Sequence, residues 1–133
     1  MSSPSENLAI AKRYLQALES GLSGEHLSQY FSPDVIIEIF PSRFFPNGSR
    51  STLAEALAAS ERGKKAMSSQ TYEIRNALAA DDQVALEIDW TGTLAVAFQS
   101  IPVGGKMRAY FAAFLQFKNG KIISQRNYDC YES

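Results

Sequence analysis

The stretch Lys106-Met107-Arg108-Ala109-Tyr110-Phe111-Ala112-Ala113-Phe114-Leu115-Gln116-Phe117-Lys118 decides the fold. Read at every second residue, it separates into two rows. Met107, Ala109, Phe111, Ala113, Leu115 and Phe117 are unbrokenly apolar, whereas Arg108, Tyr110, Ala112, Phe114, Gln116 and Lys118 are mixed. A period of two with one wholly apolar side is a β-strand with one face on a core. Such a strand needs partners, and the sequence around it predicts them over 71–79, 84–94 and 121–131. The separators are Asp81-Asp82, Pro102-Val103-Gly104-Gly105 and Asn119-Gly120, residues that favour loops and tight turns. Within 84–94 the inward row is Val84, Leu86, Ile88 and Trp90, which leaves Glu87, Asp89 and Thr91 outside.

Upstream the periodicity becomes helical. Leu8, Ala11, Leu15 and Leu18 recur at helix spacing, with Ser5 as the expected cap and Gly21 as the stop. A short second helix follows Ser23-Gly24 and places Leu27, Tyr30 and Phe31 on one side. Ser32-Pro33-Asp34 predicts a turn, 35–40 a strand, and Pro41, Pro46, Asn47 and Gly48 a loop. Ser51 or Thr52 caps a third helix to about residue 65, with Leu53, Ala56, Leu57 and Ser60 inward. Helices first and antiparallel strands after them describe an α+β domain, a cone-shaped curved antiparallel sheet wrapped around three N-terminal helices. Between the two layers a cone-shaped space with apolar walls is expected, so function rests on which polar residues point into it.

Composition narrows the function classes. The 133 residues suit one domain spanning 1–133, with 45% hydrophobic and 20% charged residues. Lys+Arg of 13 against Asp+Glu of 14 gives a net charge of −1, which argues against a nucleic-acid partner. Cys130 and His26 are the single cysteine and histidine, so no intramolecular disulfide, thiolate cluster or His-rich metal site is expected, and no cofactor. Phosphate-loop, dinucleotide and nucleophile-elbow motifs are absent. No apolar run approaches the roughly 20 residues of a membrane helix. The N-terminus does not read as a signal peptide. The expectation is a cytoplasmic protein with no membrane partner.

The last strand is ambiguous, because Ile122 and Ile123 are both apolar. A two-residue Asn119-Gly120 turn would pair Lys118 with Lys121 and carry Ser124, Arg126 and Tyr128 inward. A three-residue loop with Gly120 left-handed would pair Phe117 with Lys121 and turn Ile123, Gln125, Asn127, Asp129 and Tyr131 inward. Turn statistics favour the first. Desolvation favours the second, since Arg126 in an apolar face would be an unpaired cation whereas Asp129 lies near a strand end. We take the second register.

On that reading Asp129, desolvated in the cavity, is the acid–base candidate, flanked by Asn127 and Gln125. Tyr14 offers a hydroxyl to a ligand oxygen, and Trp90, Phe111 and Tyr30 are candidate walls for a flat ligand. Each has a plainer counterpart: a rim aspartate with a satisfied partner, a core tyrosine, and ordinary core aromatics. His26, Glu87, Asp89, Arg75 and Arg126 read as surface residues, and Cys130 as an outward interface thiol. Arg43-Phe44-Phe45-Pro46 reads as a lid over the cone mouth.

With these elements in place, nearly the whole chain resembles the nuclear transport factor 2-like superfamily, whose members include ketosteroid isomerases and SnoaL-like polyketide cyclases. Lys12-Arg13-Tyr14-Leu15 with Ser20-Gly21 resembles the first helix of that fold, and Ser32-Pro33-Asp34-Val35-Ile36-Ile37-Glu38 its first strand. Residues 84–92, ending Trp-Thr-Gly, are similar to the central strand. Ile101-Pro102-Val103-Gly104-Gly105 resembles the cyclases' Pro-x-Gly loop, and 120–131 the last strand. The resemblance implies a cystatin-like α+β barrel, the second register, and a homodimer through the outer sheet face. It matches Tyr14 to the isomerases' oxygen-binding tyrosine, but their two carboxylates fall at Ile39 and Ala113, which argues against steroid isomerisation. It matches Asp129 to the acidic residue of the cyclases, whose accessory histidines are not evident here.

The expected activity is cofactor-free proton transfer, of isomerase, cyclase or hydratase type, on a small hydrophobic carbonyl-bearing molecule. The competing expectations are a non-catalytic lipophilic-ligand carrier and a dimerisation domain whose cone is filled by its own side chains.

Overall fold

The computed structural model describes residues 3–132. Helix α1 (Pro4–Glu19) begins two residues earlier than the Ser5 expectation. Ser3 is the cap: its hydroxyl accepts the Glu6 amide at 3.2 Å, and the Glu6 carboxylate accepts the Ser3 amide at 3.3 Å. Pro4 then occupies the first turn, where a missing N–H is harmless. Gly21, at φ 92°, breaks the helix in the left-handed region. The expected second helix is a 3₁₀ helix, Gly24–Tyr30. Strand β1 (Phe31–Ile39) and a short β2 (Ser49–Ser51) precede α2 (Leu53–Ala66), which Thr52 and Glu55 close with a reciprocal capping box. Strands β3 (Met67–Ala80), β4 (Gln83–Leu94), β5 (Lys106–Lys118) and β6 (Lys121–Tyr131) follow.

The strands make one sheet of order β2-β1-β6-β5-β4-β3. β3 to β6 form the expected antiparallel run, but β1 lies parallel to β6, so the sheet is mixed. The chain can join those two parallel neighbours because everything from β2 to β5 serves as the crossover between them. Nor does the sheet close into a barrel: β2 and β3 remain its two edges. Extra residues at Ser68 and Arg75 interrupt the β3 ladder and twist that edge.

The β5–β6 hairpin departs from both registers considered above. Asn119 (φ 51°) and Gly120 (φ 75°) form the two-residue turn, and Lys118 pairs with Lys121 and Phe117 with Ile122. The three-residue loop is therefore corrected. Gln116 nevertheless pairs with Ser124, so Ile123 is an extra residue in a β-bulge. The bulge shifts parity by one, and Gln125, Asn127, Asp129 and Tyr131 stand opposite the inward residues Leu115, Ala113, Phe111 and Ala109. Ile122, fully buried, takes the inward place expected for Ile123. Arg126 emerges on the outer face, over the Phe114 ring.

The concave face packs on α1 and α2 through Ala11, Leu15, Leu57, Leu86, Leu115 and Phe117. Full burial of an aliphatic side chain such as Leu86, Leu115 or Ile122 contributes about 1.5–3 kcal/mol each. A second cluster, Trp90, Leu94, Met107 and Ala109, lies toward the other end of β4 and β5.

Candidate functional site

The helices do not fill the concave face. An inner cavity of about 290 Å³ lies among Tyr14, Leu15, Leu57, Leu86, Ala113 and Gln125. An outer one of about 610 Å³ lies among Arg62, Gln70, Trp90, Phe98, Asp129 and Tyr131. Ile39, Ser49, Ala59, Tyr72, Phe111 and Asn127 border both. The cone is thus hollow, contrary to the filled-cone expectation.

Alternation on β6 puts Gln125, Asn127 and Asp129 in one row along these cavities. The Tyr14 hydroxyl donates to Gln125 Oε1 at 3.3 Å, and Gln125 Nε2 donates to Asn127 Oδ1 at 3.0 Å. An amide whose oxygen is so engaged turns its NH₂ outward as a donor. Burial pushes the Tyr14 hydroxyl up to about 12, against the opposing effect of the Gln125 hydrogen bond. That hydroxyl stays protonated.

Asp129 is half-buried, and its Oδ1 is enclosed without a hydrogen-bond partner. Desolvation raises its carboxyl from 3.8 to about 6, while the Asn127 amide pulls in the opposite direction. Burial, then the proximity of Asp129, holds the Tyr131 hydroxyl well above its ordinary value. Tyr72 is raised chiefly by burial, with Tyr14, Tyr131 and Asp129 adding to the effect.

Trp90 and Phe111 stack at 5.5 Å with 27° between their planes and line the outer cavity. The Trp90 Nε1 and the Tyr72 hydroxyl both donate to Gln70 Oε1, at 3.0 and 3.1 Å. The indole lies across Gly92, where a Cβ would come within 2.6 Å of the ring, so only glycine leaves that space. At the mouth, Phe44 packs edge-on against Phe98 (5.4 Å) and Tyr131 (5.1 Å), and Phe45, 47% exposed, borders the opening. The segment expected to be a lid therefore sits at the rim.

Of the residues singled out from sequence, Tyr14, Gln125, Asn127 and Asp129 come together as one polar row, facing Trp90 and Phe111. Tyr30 does not join them. At the end of the 3₁₀ helix, it packs against the Tyr14 ring at 5.6 Å and borders neither cavity. Gln70 and Tyr72 were missed, although the alternation Gln70/Tyr72/Ile74 against Thr71/Glu73/Arg75 carries the signal. Arg62 was missed as well, on the α2 stripe Ala59/Arg62/Gly63/Ala66. The isomerase carboxylate positions, Ile39 and Ala113, are cavity wall and apolar, and among the described residues the carboxylate bordering this hollow is the one on β6. Among the described residues no three His, Cys, Asp or Glu side chains gather into a potential metal site, and no helix is long and apolar enough to span a membrane.

Among solved structures, the chain is similar to AclR from Streptomyces galilaeus, a proposed hydroxylase, at TM-score 0.77 and 23% identity, covering 96% of this chain and 80% of that one. It is similar to IdmH from Streptomyces antibioticus, a proposed polyketide cyclase, at TM-score 0.75 and 18% identity, covering 96% and 92%. It is also similar to AusH from Aspergillus nidulans, at TM-score 0.77 and 16% identity, covering 97% and 86%. At these identities the likeness is one of fold. No curated protein matches the sequence. Residues 11–125 match the SnoaL-like domain. Together with the cone of helices and curved sheet, that match makes this chain a member of the SnoaL-like family within the nuclear transport factor 2-like superfamily.

Proposed function

We propose that this protein is a cofactor-free enzyme that moves a proton on a flat, carbonyl-bearing hydrophobic molecule held in the outer cavity, with Asp129 as the acid–base group. The observation that carries the reading is the Asp129 carboxyl: raised to about 6, with one enclosed oxygen lacking a partner, beside the Trp90–Phe111 wall. An enclosed carboxylate oxygen on a cavity wall calls for an explanation, and acid–base work supplies one. The relatives described as a proposed hydroxylase and a proposed polyketide cyclase support a small-molecule reaction.

In the reaction, the Asp129 carboxylate takes a proton from the carbon next to the carbonyl. The C–H electron pair moves into the enolate, whose oxygen is met by the Asn127 NH₂ or by the Tyr131 hydroxyl, since the Tyr72 hydroxyl already donates to Gln70. Asp129 returns the proton to another carbon in an isomerisation. In a ring closure the enolate carbon instead attacks a second carbonyl of the same molecule, whose π pair moves to its oxygen, and Asp129 gives the proton to that alkoxide. Tyr14 acts at one remove, because its hydroxyl is already engaged by Gln125.

The test is deuterium incorporation from D₂O into a panel of aromatic β-keto esters, followed by proton NMR. Wild-type protein accelerates exchange with a dependence that rises through about pH 6, and Asp129→Asn loses about a hundredfold or more. Undiminished exchange in the variant removes Asp129 from the reaction.

The same reading has two copies pairing through the outer sheet face. Phe40 and Tyr128 stack there at 4.5 Å with 4° between planes, Phe114 meets Tyr128 edge-on at 5.9 Å, and Tyr128 is 45% exposed. Arg75, Asp89, Arg108 and Glu132 form a charged cluster on that face, as a polar rim would.

A further inference from the structure

We propose that Arg62 makes the outer cavity selective for a ligand bearing a carboxylate, which the guanidinium holds at the α2 side while the rings lie against Trp90 and Phe111. The inference deepens the reading above and rests on it. It begins with α2. Ala59, Arg62, Gly63 and Ala66 fall at helix positions i, i+3, i+4 and i+7 and all border the outer cavity. The first half of the same helix turns Leu53, Ala56 and Leu57 toward the core, where Ala56 and Leu57 border the inner cavity. The second half borders the outer one. Gly63 weakens the helix relative to alanine, yet a Cβ there would meet nothing within 4 Å, so no neighbour in the folded chain requires its absence.

Against that background Arg62 stands out. Among the described residues it is the basic side chain on the wall of either cavity, and no carboxylate or hydrogen-bond acceptor in the chain engages it. The same cavity is bordered by Gly63, Ala66, Met67 and the aromatic rings of Tyr72, Trp90 and Phe98. Arg62 is exposed at the rim of the cavity, where its long stem can reach over the opening while the guanidinium stays hydrated. The guanidinium fork matches the two oxygens of a carboxylate and tolerates a ring stacked on its plane. A phosphate dianion fits less well. Arg62 sits in the second half of α2, near the helix's negative carbonyl end, and no helix N-terminus borders the cavity to share a second charge. Arg62 and Asp129 would then give the cavity two unlike ends: one cation to fix a carboxylate, one acid to work on a carbon.

The experiment uses the whole chain and its single tryptophan, Trp90, as the reporter. Quenching of Trp90 fluorescence is titrated at pH 7.5 with 2-anthracenecarboxylate and, separately, with its methyl ester. The acid binds about tenfold tighter than the ester in low salt, and added sodium chloride narrows the gap. Arg62→Met brings the acid-to-ester ratio close to one, and Arg62→Lys keeps part of it. Equal binding of acid and ester by wild type, or a ratio that survives Arg62→Met, overturns the assignment while leaving the ligand cavity standing. If neither compound moves the fluorescence, the ligand-binding reading and this one fall together.

Discussion

Giving up water is the cost that defines Asp129. Its carboxyl is raised from 3.8 to about 6, so between those values the folded chain keeps a proton that the unfolded chain releases. Stability therefore falls as pH rises through that window and stays lowered above it. One pKa unit corresponds to about 1.4 kcal/mol, and partial solvation reduces the whole effect to about 1–2 kcal/mol. Asp129→Asn, neutral at every pH, should melt roughly 2–8 °C higher than wild type at pH 8 and converge with it near pH 4, by calorimetry. Equal melting differences at both pH values would show that the carboxyl is well solvated. The residue was legible because alternation along 121–131 ties it to Gln125 and Asn127. Arg62 was not: an exposed arginine on a helix rich in charged residues carries no inward signal, and only the fold shows that its stripe borders a hollow.

Turns and bulges govern the elements. The hairpin Asn119-Gly120 uses left-handed backbone at both positions, which explains why the Asn-Gly signal held. What periodicity could not show is that the chain restores parity three residues later by spending Ile123 in a bulge. Two adjacent isoleucines satisfy either face, so the local sequence is silent there. Gly120→Ala forces a side chain into φ 75° and should cost about 1–2 kcal/mol, read as a lower urea midpoint with an unchanged slope. A neutral result would mean that the turn relaxes to another type. The helices and β3 to β6 were legible from their periods. β2 was not: Ser49-Arg50-Ser51 is too short and too polar to carry a pattern, and it is recognised only by its pairing with residues 37–39 of β1.

At the scale of the whole molecule, the sheet presents one face to the cavity and one to solvent. The aromatic group on the solvent side, Phe40, Phe114 and Tyr128, is the centre of the proposed subunit contact. Tyr128→Lys should convert a dimer into a monomer in light-scattering chromatography while Trp90 emission stays unchanged, because the substitution points away from the hollow. A wild-type monomer at micromolar concentration would refute the pairing. The overall architecture was legible because helices and strands are segregated along the chain. The parallel neighbours β1 and β6 were not, since no local pattern records which distant strands meet.

That parallel pairing has a temporal side. Ile37 hydrogen-bonds beside Gln125 in the finished sheet, so the first long strand lacks its central neighbour until almost ninety further residues have left the ribosome. Through that interval β1 has only the three-residue β2 and helix α2 to lie against, and its other edge stays open until β6 arrives.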